Sequence, residues 1–458
     1  MNTDIKLSFG SKMKFGIADF GLSAITACIQ FFMLFYYTDV VKINPGIAGT
    51  AMLVGKLTWD LINDGLFGYL CDKTKSRWGR RRPYLMFCAI PLGLTFWLMF
   101  SLPTGMNNTL AFFVIIGTSM LFDTFMTLIT TSYYAMTAEM TTDYDERTSI
   151  ATFRMVFNVI GYIFGAAVTT FLAGFINSKF GLSLREAWSI VGLFFGLIGV
   201  LTILLVGFSK KFKSVVNSEP SKMPPLKAIF STLKNKPFVK FLIVSMIMSV
   251  AFTLVTTMLP YFVTYQLVMA DSQPIIMLLM LGTLGLCLVP CKMVADKISK
   301  GKTYALGLGI ACVALAVAFF LPHRASIIIY GVCVVAGLGF SSQWVCPHSM
   351  MPDVIEYDEL MTGERREGVY YGMWGMACKV TSALGMAICG WGLELAGYVE
   401  GVEQTPTSLL GIRILFTALP VILLLFCLPL LIKYPITRES HALVMQELEK
   451  KRSQGESQ

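Results

Sequence analysis

Two stretches of this chain, Ala187 to Phe208 and Leu409 to Ile432, are almost free of charge, and each exceeds the ~20 residues that a membrane-crossing helix needs. A helix of that length spans a ~30 Å hydrocarbon layer while satisfying every backbone N–H and C=O within itself. Similar segments recur from end to end, so the fold class is an all-α membrane protein. Composition agrees. Of 458 residues, 55% are hydrophobic and 14% charged, against roughly a quarter charged in soluble domains. A soluble multi-domain enzyme is excluded.

Twelve transmembrane helices are expected, near 15–38, 47–71, 84–103, 109–138, 152–176 and 187–208, then 238–267, 274–295, 303–321, 325–350, 369–397 and 408–434. Between the sixth and seventh lies Ser209 to Lys236. It holds Lys210, Lys211, Lys213, Lys222, Lys227, Lys234 and Lys236, with Pro220, Pro224 and Pro225 to break any long helix. The expected organisation is a first six-helix bundle over 1–208, a cytoplasmic central loop over 209–237, a second six-helix bundle over 238–434 and a cytoplasmic tail over 435–458. Two such bundles would enclose a central cavity. In the tail, Ala442, Leu443, Val444, Met445 and Leu448 among charges predict a short surface helix.

The net charge of +9 does not point to nucleic acid, because the basic residues crowd into short loops. Lys73, Lys75, Arg77, Arg80, Arg81 and Arg82 follow span two, and Lys297, Lys300 and Lys302 follow span eight. The other side has Lys42, Lys179, Arg185 and Arg324 in its short loops. The positive-inside rule then puts the basic loops and both termini in the cytoplasm. Met1 to Lys14 is polar and carries no removable signal. Eleven cysteines lie scattered in apolar segments and read as small core residues. Cys287 and Cys291 have zinc-like spacing but no second pair, so no cofactor is expected.

A charge at membrane depth costs ~2.5–3.5 kcal/mol on insertion scales, so each one needs a reason. The first half holds Asp19, Lys56, Asp60, Asp64, Asp123 and Arg154, and the second holds Lys379. Spacing of four puts Lys56, Asp60 and Asp64 on one face of span two. Two carboxylates a turn apart, with the Asn63 carbonyl, can wrap a small hard cation such as Na+ in oxygen. They can equally share a proton, since like charges raise one pKa. The plainer alternative is a Lys56–Asp60 pair that only neutralises helix charge. Asp123, Thr127 and Thr130 share a face of span four, although hydroxyls in membrane helices often bond their own backbone. Tyr133, Tyr134, Trp344, Tyr370, Tyr371 and Trp374 add aromatic faces that suit sugar C–H surfaces or membrane interfaces. His348 reads as structural rather than as a proton relay.

Several motifs carry a family resemblance. Gly68 to Pro83, with its Gly79-Arg80-Arg81-Arg82 run, resembles the loop between helices two and three of major facilitator transporters. Preceded by Trp59-Asp60 and Asn63-Asp64, it resembles the glycoside–pentoside–hexuronide:cation symporters, the melibiose permease family. A loop Asp143-Tyr144-Asp145-Glu146-Arg147-Thr148 after span four is similar to the same family. So are Pro352-Asp353-Val354-Ile355-Glu356-Tyr357-Asp358-Glu359 and Arg365-Arg366-Glu367-Gly368, with Lys379 beyond. The resemblance implies a major facilitator fold with alternating access, and a cation site of Asp60, Asn63, Asp64 and Thr127 beside a sugar site. By the same resemblance Lys379 contacts the cation site, Arg154 lies near the sugar pocket, and Trp344 and Trp374 face the cavity. Ser23 and Thr130 stand where the melibiose branch has acids. Melibiose itself is therefore not expected, and H+ gains on Na+. Asp19 matches an acidic position near the start of helix one whose role is structural.

The resulting expectation is a cation-coupled sugar or glycoside symporter in a bacterial inner membrane, acting as a monomer among lipids and not as an enzyme. Ser23, Asp123, Thr130, Tyr134, Arg154, Trp344, Trp374 and Lys379 are its candidate substrate residues. The positive charges of Arg154 and Lys379 suggest an anionic sugar such as a uronide. Asp72, Arg77, Arg80 and Arg81 are expected to close a cytoplasmic gate against acids such as Asp145, Glu146, Asp353 and Glu356. A proton-driven exporter or a lysolipid carrier fits the same fold. A non-transporting sensor is the more distant alternative.

Overall fold

The computed structural model describes residues 7–74, 76–141, 143–209, 212, 232–324, 326–363 and 366–455. Most of the lysines expected in the central loop, together with Lys75 and Arg365, lie outside the described residues. Asp64, Asp72 and Asp145 are placed by their helical backbone alone, and their side chains also lie outside.

The first half consists of α1 (Phe9–Phe35), extended by a π turn over Tyr36–Val40, then α2 (Pro45–Lys73), α3 (Arg82–Met99), α4 (Asn108–Glu139), α5 (Tyr144–Phe180) and α6 (Leu184–Gly207). The second half holds α7 (Lys236–Tyr261) with a π turn over Phe262–Gln266, α8 (Gln273–Leu286), α9 (Leu288–Lys297), α10 (Lys300–Phe319), α11 (Ile328–Thr362) and α12 (Glu367–Leu395). It ends in α13 (Pro406–Arg413), a π turn over Ile414–Ala418 and α14 (Leu419–Ile432). A tail helix, α15 (Arg438–Gly455), follows.

Among the described residues eleven helical segments are long and apolar enough to cross a membrane. Pro45–Lys73 is not one of them. At 29 residues α2 is as long as its neighbours, but Lys56, Asp60 and Asp64 interrupt its apolar run. Side-chain caps start several helices. The Asn44 side chain accepts from the Ile47 N–H ahead of Pro45, Asn107 accepts from Leu110, and Ser183 and Glu186 form a reciprocal capping box.

Two expected loops are helical. The Asp143–Thr148 motif supplies the first turns of α5, and Pro352–Glu359 lies within α11, which runs through Pro347 and Pro352 to a left-handed Gly363. Proline in a membrane helix is tolerated because neighbouring groups re-satisfy the freed carbonyl. The eighth span is divided instead, at Cys287 between α8 and α9.

Within the first half α1 packs on α5 and α6, α2 on α4, and α3 on α4 and α6. In the second, α7 packs on α12 and α14, while α11 packs on α8 and α10. Small residues set the closest approach: a Cβ at Gly161 or Gly165 of α5 would collide with the α1 backbone at Phe20 or Ala24. The halves meet where α2 lies on α12, α5 on α8 and α1 on α7.

At the end where α1 turns into α2, polar bonds stitch this seam. Asp39 Oδ1 accepts from the hydroxyls of Tyr265 and Tyr398, the latter at 2.6 Å, and its Oδ2 accepts from Thr38 at 2.6 Å. The Tyr261 hydroxyl lies 2.6 Å from Thr38 Oγ1. Asn44 donates to Glu394 (2.9 Å), and Trp391 donates to Thr50 (2.8 Å). Burial first, then the Asp39 charge, raises the Tyr398 phenol above its ordinary value, so it stays a donor.

Candidate functional site

A cavity of about 940 Å³ lies between the halves, walled by α1, α4 and α5 on one side and by α7, α8, α9, α11 and α12 on the other. It reaches toward the end that carries the basic loops, where Tyr134, Met155 and Val289 are exposed. Of the expected substrate residues, Tyr134, Arg154, Trp344 and Trp374 line it. Ser23 stands one hydrogen bond behind the wall, accepting from Asn158 Nδ2 at 2.6 Å. Asp123, Thr130 and Lys379 are not among its lining residues. The Thr130 hydroxyl donates to the Met126 carbonyl of its own helix at 2.8 Å, the backbone alternative noted for such residues.

Arg154 is held rather than exposed to a ligand as a lone charge. Its Nε donates to Asp19 Oδ2 at 2.7 Å and its Nη1 to Thr137 at 2.9 Å, with the guanidinium 4.5 Å from the Tyr134 ring centre and 4.8 Å from that of Tyr133. The Tyr133 hydroxyl also donates to Asp19 at 3.1 Å. Asp19 is buried, so this pair answers the cost of a carboxylate at membrane depth. Trp344 packs edge-on to Tyr162, and Trp374 edge-on to His348.

Several lining groups were not singled out from the sequence. Asn158 and Tyr162 follow Arg154 at intervals of four, one stripe of α5 facing the cavity. Tyr162 donates to Gln30 Oε1 at 3.1 Å, and Gln30 Nε2 donates across the halves to Thr256 at 3.3 Å. Ser249, Gln343 and Ser382 supply polar groups from the second half. The helical stripe on α5 was legible. A lone Gln or Ser inside an apolar span carries no comparable signal.

The candidate cation residues form a second cluster, between α2 and α4. Asp60, Asn63, Asp123 and Thr127 are all buried. Asn63 Nδ2 donates to Thr127 Oγ1 at 3.2 Å, while Asn63 Oδ1 is buried with no hydrogen-bond donor. Trp59 Nε1 donates to Thr124 at 2.8 Å and braces the two helices one turn away. Lys56 Nζ lies 3.2 and 3.3 Å from the two Asp123 oxygens and 3.8 Å from Asp60 Oδ2. The Lys56–Asp60 pair, the plainer alternative above, is therefore longer than the Lys56–Asp123 contact, and Asp123 belongs to this cluster rather than to the cavity wall. Spacing along α2 revealed the first contact; the second joins helices 67 residues apart.

Of the acids expected at a gate across the halves, Glu146, Asp353 and Glu356 form pairs within one half among the described residues. Glu146 accepts from Lys12 (2.8 Å), Asp353 from Lys300 (2.7 Å), and Glu356 lies 2.6 Å from His441 Nε2 on α15. Arg77 stacks on Trp78 with its guanidinium carbon 4.2 Å from the ring centre.

Comparison with known proteins places this geometry. Residues 14–438 match the family described as MFS/sugar transport protein. The chain is 28% identical to the uncharacterized symporter YjmB of Bacillus subtilis, over 98% of this chain and 97% of that one. It is 25% identical to the isoprimeverose transporter of Lactiplantibacillus pentosus (90% and 86% covered). It is 24% identical to the sodium-dependent lysophosphatidylcholine symporter 1-B of Danio rerio (95% and 89% covered). The fold superposes on the crystal structure of the nucleoside transporter NupG with a TM-score of 0.64 at 15% identity, covering 92% and 99% of the two chains. With a family match over nearly the whole length, and a helical membrane fold around a central cavity, the chain belongs to the MFS/sugar transport protein family: it is a multi-pass secondary transporter of the major facilitator type, not an enzyme.

Proposed function

We propose that the protein is a cation-coupled symporter of a sugar or glycoside, working by alternating access. The coupling ion, Na+ or H+, is held by Asp60, Asn63, Asp64 and Thr127, and the sugar occupies the cavity between the halves. The observation that carries this reading is the buried oxygen cluster on α2 and α4. Asn63 Oδ1 there has no donor, and a buried carbonyl left unpaired costs about 1–3 kcal/mol. A bound cation would satisfy it. The isoprimeverose transporter and the sodium-dependent symporter among the relatives support sugar cargo and ion coupling respectively.

The uronide expectation rested on the charges of Arg154 and Lys379 and on Ser23 and Thr130 standing in place of two acids. Arg154 is paired with Asp19, and Lys379 is not among the cavity-lining residues. A neutral glycoside stacked on Trp344 or Trp374 therefore suits the cavity better. We further place the basic loops, and with them the open end of the cavity, on the cytoplasmic side of a bacterial inner membrane.

The test is uptake into right-side-out vesicles across a panel of sugars, with Na+ and pH gradients imposed separately. Asp64→Asn should lose gradient-driven accumulation by at least about tenfold, as expected when a charged ligand to a bound ion is removed. Full accumulation in that variant would refute the cation site. A second reading, lysolipid cargo, draws on the apolar cavity wall at Met155, Val156, Ile160, Leu288 and Val289. It predicts that lysophosphatidylcholine, and no sugar, is accumulated.

A further inference from the structure

The α2–α4 cluster contains a positive charge of its own. Lys56 extends from α2 to place its ammonium 3.2 Å from one Asp123 oxygen and 3.3 Å from the other, with Asp60 at 3.8 Å. Its side chain is 24% exposed, against 9% for Asp123 and 6% for Asp60. The acids are buried, while the lysine is the more exposed partner and so the one better placed to move. A lysine head on a flexible four-carbon stem is suited to such movement. Burial leaves the carboxylates costly to hold ionised without a nearby cation. One ammonium also has only three protons to donate. It reaches Asp123 and Asp60, yet Asn63 Oδ1, one turn further on, has no donor.

We propose that Lys56 is a tethered counter-cation of this cluster: its ammonium holds Asp123 and Asp60 while no coupling ion is bound, and an entering Na+ displaces it. The inference rests on the cation site proposed above and adds what sets that site's affinity. Lys56 competes with the ion, so the empty transporter keeps its buried acids compensated and can reorient without a cation. Two unit charges about 4 Å apart at an effective dielectric of ~20 couple strongly enough to change affinity by decades. Relaxation of the helices reduces this, and about tenfold is the expected floor.

The experiment is Na+ binding to the purified full-length protein by calorimetry, in the parent, Lys56→Met, Lys56→Gln and Lys56→Arg, each with and without Asp64→Asn. The neutral variants should bind Na+ at least about tenfold more tightly than the parent, and Asp64→Asn should abolish binding in every background. Binding that appears only in the neutral variants also supports the proposal. Unchanged or weaker binding in Lys56→Met and Lys56→Gln overturns it. If Asp64→Asn still abolishes binding in that case, the cation site stands without the counter-ion. Tightening that survives Asp64→Asn overturns both, because the ion then binds elsewhere. No Na+ binding in the parent or the neutral variants overturns the competition. Should the neutral variants fail to fold, Lys56→Arg decides. Its two-pronged guanidinium grips Asp123 harder, so Na+ should bind about threefold more weakly or worse; equal or tighter binding overturns the proposal.

Discussion

At the end where α1 turns into α2, hydrogen bonds run from one half of the molecule to the other. Asp39 collects three hydroxyl donors, two of them from the opposite half, and Asn44 and Trp391 add further crossings. At the basic end, the ion pairs of Glu146, Asp353, Asp358 and Glu356 each remain within one half or its tail. The first arrangement holds two bodies together, and the second strengthens each body separately. The cavity accordingly reaches toward the basic end. The alternating access proposed above would require the cross-half bonds to break and re-form repeatedly. Hydroxyls on one carboxylate suit that duty, because water can take their place on it when the seam parts.

The largest expected effect comes from wedging that seam apart. A Cβ at Gly390 of α12 would collide with the carbonyl of Pro45 and lie 3.0 Å from the Gly49 Cα, both across the seam. Backbone cannot rotate away as a side chain can. Gly390→Val should therefore disfavour the closed seam by ~3 kcal/mol, the upper end for overpacking, or about a hundredfold in population. Spin labels on the exposed Thr104 and Val402 would read the seam as a distance distribution. A distribution unchanged from the parent would show that the α2–α12 contact does not hold this end shut.

This division of labour was only partly visible in the sequence. Apolar runs marked the spans other than α2, and there four-residue spacing brought out Lys56, Asp60 and Asp64, because helix geometry is local. Asp39 carries no such signal: it sits beside Thr38 and Tyr37 at a helix end, where an acid is unremarkable until Tyr265 and Tyr398 arrive from far along the chain. Asp353 and Glu356 looked like gate residues because their charge is legible in sequence and their partners are not. Only the fold shows that Lys300 and His441 hold them. The acidic motifs read as loops for a related reason. Charge and proline at a span's edge mimic a loop, yet α5 and α11 extend beyond the apolar stretch as helix.

A smaller effect is expected from removing the charge at the seam while keeping its shape. Asp39→Asn leaves an acceptor for the Tyr265 and Tyr398 hydroxyls but weakens charge-assisted bonds to neutral ones. Hydrogen bonds to charged groups contribute about 1.5–3 kcal/mol against roughly 1 for neutral ones, so a shift of ~1.5 kcal/mol, near tenfold, is expected. The same label pair would show a second, longer population. Tyr398→Phe removes one donor and should move the distribution in the same direction by less. If Tyr398→Phe exceeded Asp39→Asn, the Tyr398 hydroxyl rather than the Asp39 charge would be the stronger part of this contact.

The smallest effect belongs to the basic end. His441 on α15 meets Glu356 at 2.6 Å and Asp353 at 3.6 Å, and Arg438 donates to the Asp296 carbonyl at 3.0 Å. These contacts bind the tail to its own half, with Leu448 buried beneath it. A partly exposed pair of this kind contributes about 0–1 kcal/mol. Because both partners move together when the halves separate, even that energy cancels between the two states of the transporter. His441→Ala should therefore leave the Thr104–Val402 distribution and the transport rate within about twofold of the parent, while making the tail easier for a protease to cleave. A shift in the distance distribution as large as that of Asp39→Asn would mean that the tail senses the other half, and that the basic end also controls the equilibrium between the two states.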